Sequence, residues 1–340
     1  MQQPIAARRA TGFDALRYLI LGMRPHQWVK NAFVLPGIVF AERHLFTVGW
    51  AIGRVAIAFV LFCLVSGCVY LMNDLADIEQ DRLHPKKKLR PLPSGKLSPA
   101  LAKAAVIGLG GGSLIAPWVL GYLSASVLAP PITDQIGLSG WQNLFATYAF
   151  GWYAFGAVLL AYFLVQVAYT FRLKHVVIID LFCIAGGFVL RALGGAAVIQ
   201  VGITPWWLMC VLLLALFLGL GKRRHELVML EGAAGDHRRI LQEYSTQLLD
   251  HLITIVVGCT IVFYSYATFT APSVPQEPFP FLMLTIPFVI YALFRYLYLV
   301  YQRGEGGTPE ELLFKDRPFF VSIATWGLLV VAILLIFSRT

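Results

Sequence analysis

Residues 55–81 read VAIAFVLFCLVSGCVYLMNDLADIEQD, and the change of character between Met72 and Asn73 decides what kind of chain this is. From Val55 to Met72 there is no charge, which suits a helix crossing a hydrocarbon core of about 30 Å with about 20 residues. Past it, Asp74, Asp77 and Asp81 follow at spacings of three and four, so a continuing helix carries all three on one face. Like charges stacked this way repel by a few tenths of a kcal/mol per pair. The spacing therefore predicts a cation among them, and hard carboxylate oxygens suit Mg²⁺, which takes one or two carboxylates together with waters and phosphates. The plainer reading is a solvated acidic helix end. Against it stand Arg82, Lys86, Lys87, Lys88, Arg90 and Lys96, held on a short loop by Pro85, Pro91, Pro93 and Gly95. Bases alone would suit anionic lipid or the inner membrane face. Acids for a metal beside bases for phosphate form a more pointed combination.

The same hydropathy pattern recurs along all 340 residues, of which 58% are hydrophobic and 13% charged, with a mean hydropathy of +0.72. A soluble fold is excluded by these values. The expected fold is all-α and polytopic, with nine transmembrane spans at 28–47, 50–72, 99–122, 144–170, 176–199, 205–221, 247–270, 281–301 and 318–337. Pro36 and Gly37 interrupt the first. Residues 1–27 have no signal-peptide core or cleavage site and are predicted to lie along the cytoplasmic surface. Residues 28–340 form one membrane domain.

With the N-terminus inside, all but five of the 27 Lys and Arg fall on cytoplasmic connections, the exceptions being Arg43, Arg54, Arg191, Arg295 and Arg339. That asymmetry orients the chain, with the C-terminus outward. It also accounts for the net charge of +9 without nucleic acid. The outer loop 123–143 has no Lys or Arg and no assigned role. The five cysteines lie in apolar stretches without metal-ligand spacing.

Three further charged groups reach the same face: Arg24 to Asn31, which includes Lys30; Tyr169, Arg172, Lys174 and His175, followed by Asp180; and Lys222, Arg223, Arg224, His225 and Glu226. Asp180 and Arg191 lie within a span, where charge is costly unless paired or wet. They are eleven residues apart and so share a helix face. Arg295 either snorkels or is functional. His175 and His225 lack zinc spacing, and Gly110-Gly111-Gly112 reads as a helix-packing site.

The segment Asn73 to Asp81 resembles the NDxxDxxxD motif of UbiA-type membrane prenyltransferases, whose aspartates hold Mg²⁺ against a substrate diphosphate. A nine-helix count agrees with that family. A narrower resemblance is to its branch that moves 5-phosphoribose from phosphoribosyl diphosphate (PRPP) onto a polyprenyl phosphate of decaprenyl type. It is carried by RPHQWVKN (24–31), the stretch 66–95 ending HPKKKLRPLPSG, YTFRLKHVVIIDLFCIAGGFVLRALGG (169–195) and LGLGKRRHEL (218–227). Where prenyl-diphosphate enzymes of the family carry a second acidic motif, this chain has Lys222-Arg223-Arg224-His225-Glu226. Bases there suit a donor with an additional 5-phosphate. The spacing from Tyr169 to Lys174 is five, where many relatives have four.

The resemblance implies Asp74, Asp77 and Asp81 as metal-binding and catalytic residues, with Asp180 as a further catalytic carboxylate. It implies Lys30, Asn31, Asn73, Arg82, Lys87, Arg90, Tyr169, Arg172, Lys174, Arg191, Lys222, Arg223 and Glu226 as substrate-binding. Lys30 or Lys86 to Lys88 would anchor the lipid phosphate. The implied setting is a bacterial-type inner membrane with a cytoplasmic active site and an open possibility of homo-oligomers. Two other readings share the scaffold or the setting: a prenyl-diphosphate transferase with an aromatic acceptor, and a lipid or solute transporter whose charged cavity conducts.

Overall fold

The structure is a computed structural model that describes residues 12–83, 87–127, 148–231, 243–271, 277, 279–307 and 309–337. Among these residues every regular element is helical. Eight helices are long and apolar enough to cross a membrane: Gly49–Ala76, Pro99–Ser124, Phe150–Phe171, Ile179–Val198, Pro205–Met229, Thr246–Phe269, Phe281–Gln302 and Arg317–Phe337. They coincide with eight of the nine expected spans. The chain is thus a multi-pass membrane protein.

The elements in order are α1 (Phe13–Gly22), a 3-10 segment (Pro25–Val34), α2 (Pro36–Val39), a second 3-10 segment (Glu42–Thr47), α3 (Gly49–Ala76) and α4 (Ile78–Leu83). After these come α5 (Pro99–Ala105), a π-helical turn (Val106–Gly110), α6 (Gly111–Val127), α7 (Tyr148–Phe171) and α8 (Ile179–Val198). The last are α9 (Pro205–Glu231), α10 (Thr246–Phe269), α11 (Ile286–Gln302, entered by a 3-10 turn), α12 (Pro309–Lys315) and α13 (Arg317–Phe337).

The predicted first span, 28–47, is no continuous helix but two 3-10 segments around the short α2. Pro36 denies the helix a donor, and the segment gains in exchange a close seat against α8. A Cβ on Gly195 would lie 1.9 Å from the Val34 carbonyl oxygen, and one on Gly37 would lie 2.8 Å from the Ala196 nitrogen. Between apolar helices in lipid, close approach of backbones through small residues replaces the hydrophobic effect as the source of association. Val34, Ile38, Phe62, Phe155 and Val198 pack together around that seat. A second core joins α8 to α11 through Leu181, Phe217, Leu249, Ile253, Leu293 and Tyr296.

Helix starts on the charged face are capped by the residues expected to do so. The Ser98 hydroxyl accepts from Leu101 N–H ahead of Pro99, and the Ser245 hydroxyl accepts from Leu248 N–H. The glycine run behaves in two ways. A Cβ on Gly110 would meet Cys68 at 3.5 Å, as at a packing site, while one on Gly108, Gly111 or Gly112 would meet nothing within 4 Å. All five cysteines are free thiols. The outer loop from residue 128 onward, Arg8, Arg9 and Lys86 lie outside the described residues.

Candidate active site

The aspartate segment is bent rather than straight. α3 ends at Ala76, Asp77 leaves helical geometry at φ −105° and ψ 15°, and α4 resumes at Ile78. The hydrogen bonds from Asp77 N–H to Asn73 O and from Asp81 N–H to Asp77 O still run across the bend. Asp74 and Asp81 are consequently both buried and turned toward Arg90, whose Nη1 lies 3.2 Å from Asp74 Oδ1 and 2.7 Å from Asp81 Oδ2. Lys87 Nζ reaches Asp81 Oδ1 at 3.2 Å. Asp77 leans instead toward Lys174, at the junction of α7 and α8. The bend thus splits the expected trio into a pair and a single carboxylate.

Arg24 completes this cluster. It stands before Pro25 with φ 54° and ψ 66°, the left-handed region that a non-glycine residue occupies at a cost. That turn lets its guanidinium donate to Asp74 while lying 4.9 Å from the centre of the Tyr70 ring.

A second cluster joins α8 to α9. Asp180 is fully buried and accepts from Arg223 Nε at 3.0 Å and from the Tyr244 hydroxyl at 2.9 Å. Arg223 also donates to Glu226 at 2.7 Å. Tyr244 accepts in turn from the Ile178 N–H at 2.7 Å, holding Ile178 at a φ of 68°. Burial pushes the Tyr244 hydroxyl up to about 12, so it remains a donor throughout the neutral range. The residues 222–226, expected to follow a span, instead lie on α9 itself, which continues to Glu231. Arg223 can sit on that buried helix because two carboxylates face it.

Arg191, deeper in α8, takes no carboxylate among the described residues. It donates to Asn31 Oδ1, Gly187 O and the Tyr162 hydroxyl, all within 2.9 Å. Asn31 donates onward to Ser66 and to Cys63 Sγ. Asp180 and Arg191 therefore share a helix but not a partner. Arg295 forms a two-point pair with Asp316, at 3.1 and 2.8 Å.

The remaining expected residues fall around these clusters. Arg82 is exposed and bound to Glu79 and to the Pro93 carbonyl. Arg172 is exposed at the end of α7, and Lys222 is exposed on α9. Tyr169 lies within electrostatic range of Arg223. Lys30 is half-buried on the first 3-10 segment. Two participants carried little signal in the sequence. Arg24 stood in the charged group 24–31 but was not singled out as a site residue, and Tyr244 is a single tyrosine in a connection.

Among the described residues no group of three Asp, Glu, His or Cys is drawn together tightly enough to cage a metal. Mg²⁺ does not require such a cage. Asp74 and Asp81 share one guanidinium nitrogen, and the neighbouring Asn73 Oδ1 is buried without a hydrogen-bond partner. Two carboxylates and an unsatisfied amide oxygen form a donor set that fits a hydrated Mg²⁺.

The UbiA prenyltransferase family profile matches residues 31–132, the stretch holding α3 and the aspartate bend. The chain is UbiA-like in sequence and in fold. The fold match is to a UbiA homologue from Archaeoglobus fulgidus solved with GPP and Mg²⁺, with a TM-score of 0.61 and 15% identity over 94% of this chain and all of that one. A digeranylgeranylglyceryl phosphate synthase has a TM-score of 0.60 and 17% identity over 95% of this chain and 99% of that one. In sequence, the UbiA-like chain is 29% identical over 317 residues to the decaprenyl-phosphate phosphoribosyltransferase of Mycolicibacterium smegmatis, covering 91% of this chain and 89% of the relative. The enzyme of the same name from Corynebacterium glutamicum is also 29% identical, covering 92% and 85%. These relatives place the UbiA-like chain among membrane transferases.

Proposed function

We propose that this transferase moves 5-phosphoribose from PRPP to a polyprenyl phosphate and releases diphosphate. The observation that carries the reading is the number of cations, Arg24, Lys87, Arg90 and Lys174, gathered on three aspartates at one end of the helices. A prenyl diphosphate offers fewer anionic groups than a donor bearing both a diphosphate and a 5-phosphate. The names of the extended relatives support the same choice.

Asp74 and Asp81, with Asn73, would hold Mg²⁺, which when bound neutralises charge on the diphosphate. Each cation of the site is already matched by a carboxylate, so donor binding is an exchange. Arg90 and Arg24 turn from Asp74 to phosphate oxygens, with the forked geometry that suits guanidinium for this task. Lys174 and Lys87 do the same from Asp77 and Asp81. The Asp180–Arg223–Tyr244 clamp fixes α8 against α9 behind these groups. Arg223, with Lys222 beside it, offers positive potential for the 5-phosphate.

In the transfer, the bond from ribose C1 to the diphosphate oxygen breaks and a bond from C1 to an oxygen of the lipid phosphate forms. Diphosphate leaves with the electron pair. No side chain need remove a proton, because a phosphate monoester with a second pKa of about 6 is largely a dianion at neutral pH. We place the reaction at the cytoplasmic face of an inner membrane, following the Lys and Arg asymmetry.

The test is transfer of label from PRPP to added polyprenyl phosphate by the purified protein, with and without Mg²⁺. Metal-dependent labelling of lipid is the expected result. Labelling only from a prenyl diphosphate onto an aromatic acceptor would replace this reading with the other UbiA chemistry.

A further inference from the structure

Two cavities share the lining residue His26. One, of about 190 Å³, is lined by Arg24, His26, Asp74 and Arg90 among others. The second, of about 770 Å³, opens between the first 3-10 segment and α12 and is lined by Pro25, His26, Val29, Glu311, Phe314 and Lys315. His26 is the side chain common to both. Its imidazole is exposed and makes no hydrogen bond or ion pair with the described residues.

The volume of the larger cavity lies within the range of small-molecule sites, roughly 300–1,000 Å³. Its character changes along its length. Pro25, Val29 and Phe314 are apolar walls, whereas the Lys315 ammonium, 2.6 Å from Glu305, stands at a polar rim with Glu311. A soluble anion has no use for the apolar walls, and a plain hydrocarbon has none for the polar junction. The shape suits an amphiphile with its anionic end at His26.

We infer that the larger cavity seats the part of the acceptor lipid next to its phosphate, and that His26 positions that phosphate at the wall shared with the donor pocket. The inference rests on the phosphoribosyl reading above. Attack on C1 needs the two reacting atoms about 3–3.5 Å apart, so the acceptor phosphate must sit next to the donor pocket, and His26 is the residue that lines both cavities. An imidazole N–H there can donate to a phosphate oxygen. Arg24 and Arg90 are held by Asp74 and, in the proposed reaction, pass to the donor's phosphates, whereas His26 has no such engagement. His26 thus takes the acceptor role that the sequence offered to Lys30 or Lys86 to Lys88.

The experiment measures KM for both substrates with saturating PRPP or saturating acceptor, using a long polyprenyl phosphate and a short water-soluble isoprenyl phosphate. His26→Ala should raise the acceptor KM about tenfold or more, the worth of one hydrogen bond to a charged group, with the PRPP KM within about twofold of wild type. His26→Gln, which keeps an N–H donor, should recover most of the loss. Val29→Trp, which fills the cavity, should penalise the long acceptor more than the short one. An unchanged acceptor KM in His26→Ala, or an equal rise in both KM values, would overturn the assignment. Inorganic phosphate competing as well as the lipid would overturn the lipid occupant. Should the wild type transfer nothing to any acceptor, the phosphoribosyl reading fails separately. Retention of polyprenyl phosphate by purified protein then decides the cavity: loss in Val29→Trp supports it, and undiminished retention refutes it.

Discussion

Lys174 Nζ lies 3.2 Å from each carboxylate oxygen of Asp77, and this pair joins the bend below α3 to the junction between α7 and α8. Both groups are partly exposed, so the pair is open to exchange for a substrate phosphate rather than locked in the protein. Lys174→Met should raise KM for PRPP by about 10- to 100-fold, the range expected for a charge-assisted hydrogen bond, with little change in thermal stability. Steady-state kinetics beside a melting curve in detergent checks both halves of the statement.

Asp81→Asn removes charge but not shape from a buried side chain that holds Arg90 and Lys87. Turnover should fall by about 100-fold or more, as when a preorganised electrostatic group is lost from a site. The Mg²⁺ concentration for half-maximal activity should rise as well. Wild-type metal dependence in this variant would remove Asp81 from the metal's donor set.

Tyr244→Phe leaves the Ile178 N–H without its acceptor and Asp180 with one partner fewer. Stranding a buried polar group costs about 1–3 kcal/mol. A lower melting temperature is expected, together with faster proteolysis at the connection between α7 and α8, where Ile178 stands. An unshifted melt would show that α8 and α9 hold together without the tyrosine.

The Arg295 guanidinium, by its two-point hydrogen bond, holds the Asp316 carboxyl below its ordinary 3.8. A folded-state value below the unfolded one means that the contribution is present above pH 3.8 and is lost as pH falls through the folded value. Asp316→Asn should therefore lower the neutral plateau while changing stability little at the acid end, so that the profile loses slope below about pH 4. Melting curves from pH 3 to pH 6 give the comparison.

Gly195→Val places side-chain atoms where the Val34 carbonyl already stands. Nothing flexible is available to yield, so the cost should reach the upper part of the roughly 1–3 kcal/mol typical of overpacking or exceed it. Loss of folded protein on size exclusion, or a melt lowered by several degrees, is the expected outcome.

Hydropathy made the eight long helices legible, because a lipid-spanning helix needs only length and apolarity, both local properties. It did not foresee the broken helix at residues 28–47, where the outcome depends on a notch in α8 about 160 residues away. Partner choice was hidden for the same reason. Lys174 and Asp77 are 97 positions apart, and Arg191 and Asn31 are 160. Asp180 and Arg191 shared a helix face in the sequence, but packing gave one to α9 and the other to the first 3-10 segment. The straight helix assumed for Asp74, Asp77 and Asp81 was likewise a local expectation. The bend at Asp77, which separates one carboxylate from the other two, follows from contacts with Arg90 and Lys174 that no spacing rule contains.

Asp74, Lys174, Asp180 and Arg223 come from the ends of helices that run alternately up and down, and all four ends lie at one face. In the proposed reaction a water-soluble donor and a lipid acceptor meet there without either crossing the bilayer. The glycosylated lipid is then born in the leaflet that supplied its acceptor. In that reaction any use of the sugar on the opposite side of the membrane requires a separate translocation step, with the product as its cargo.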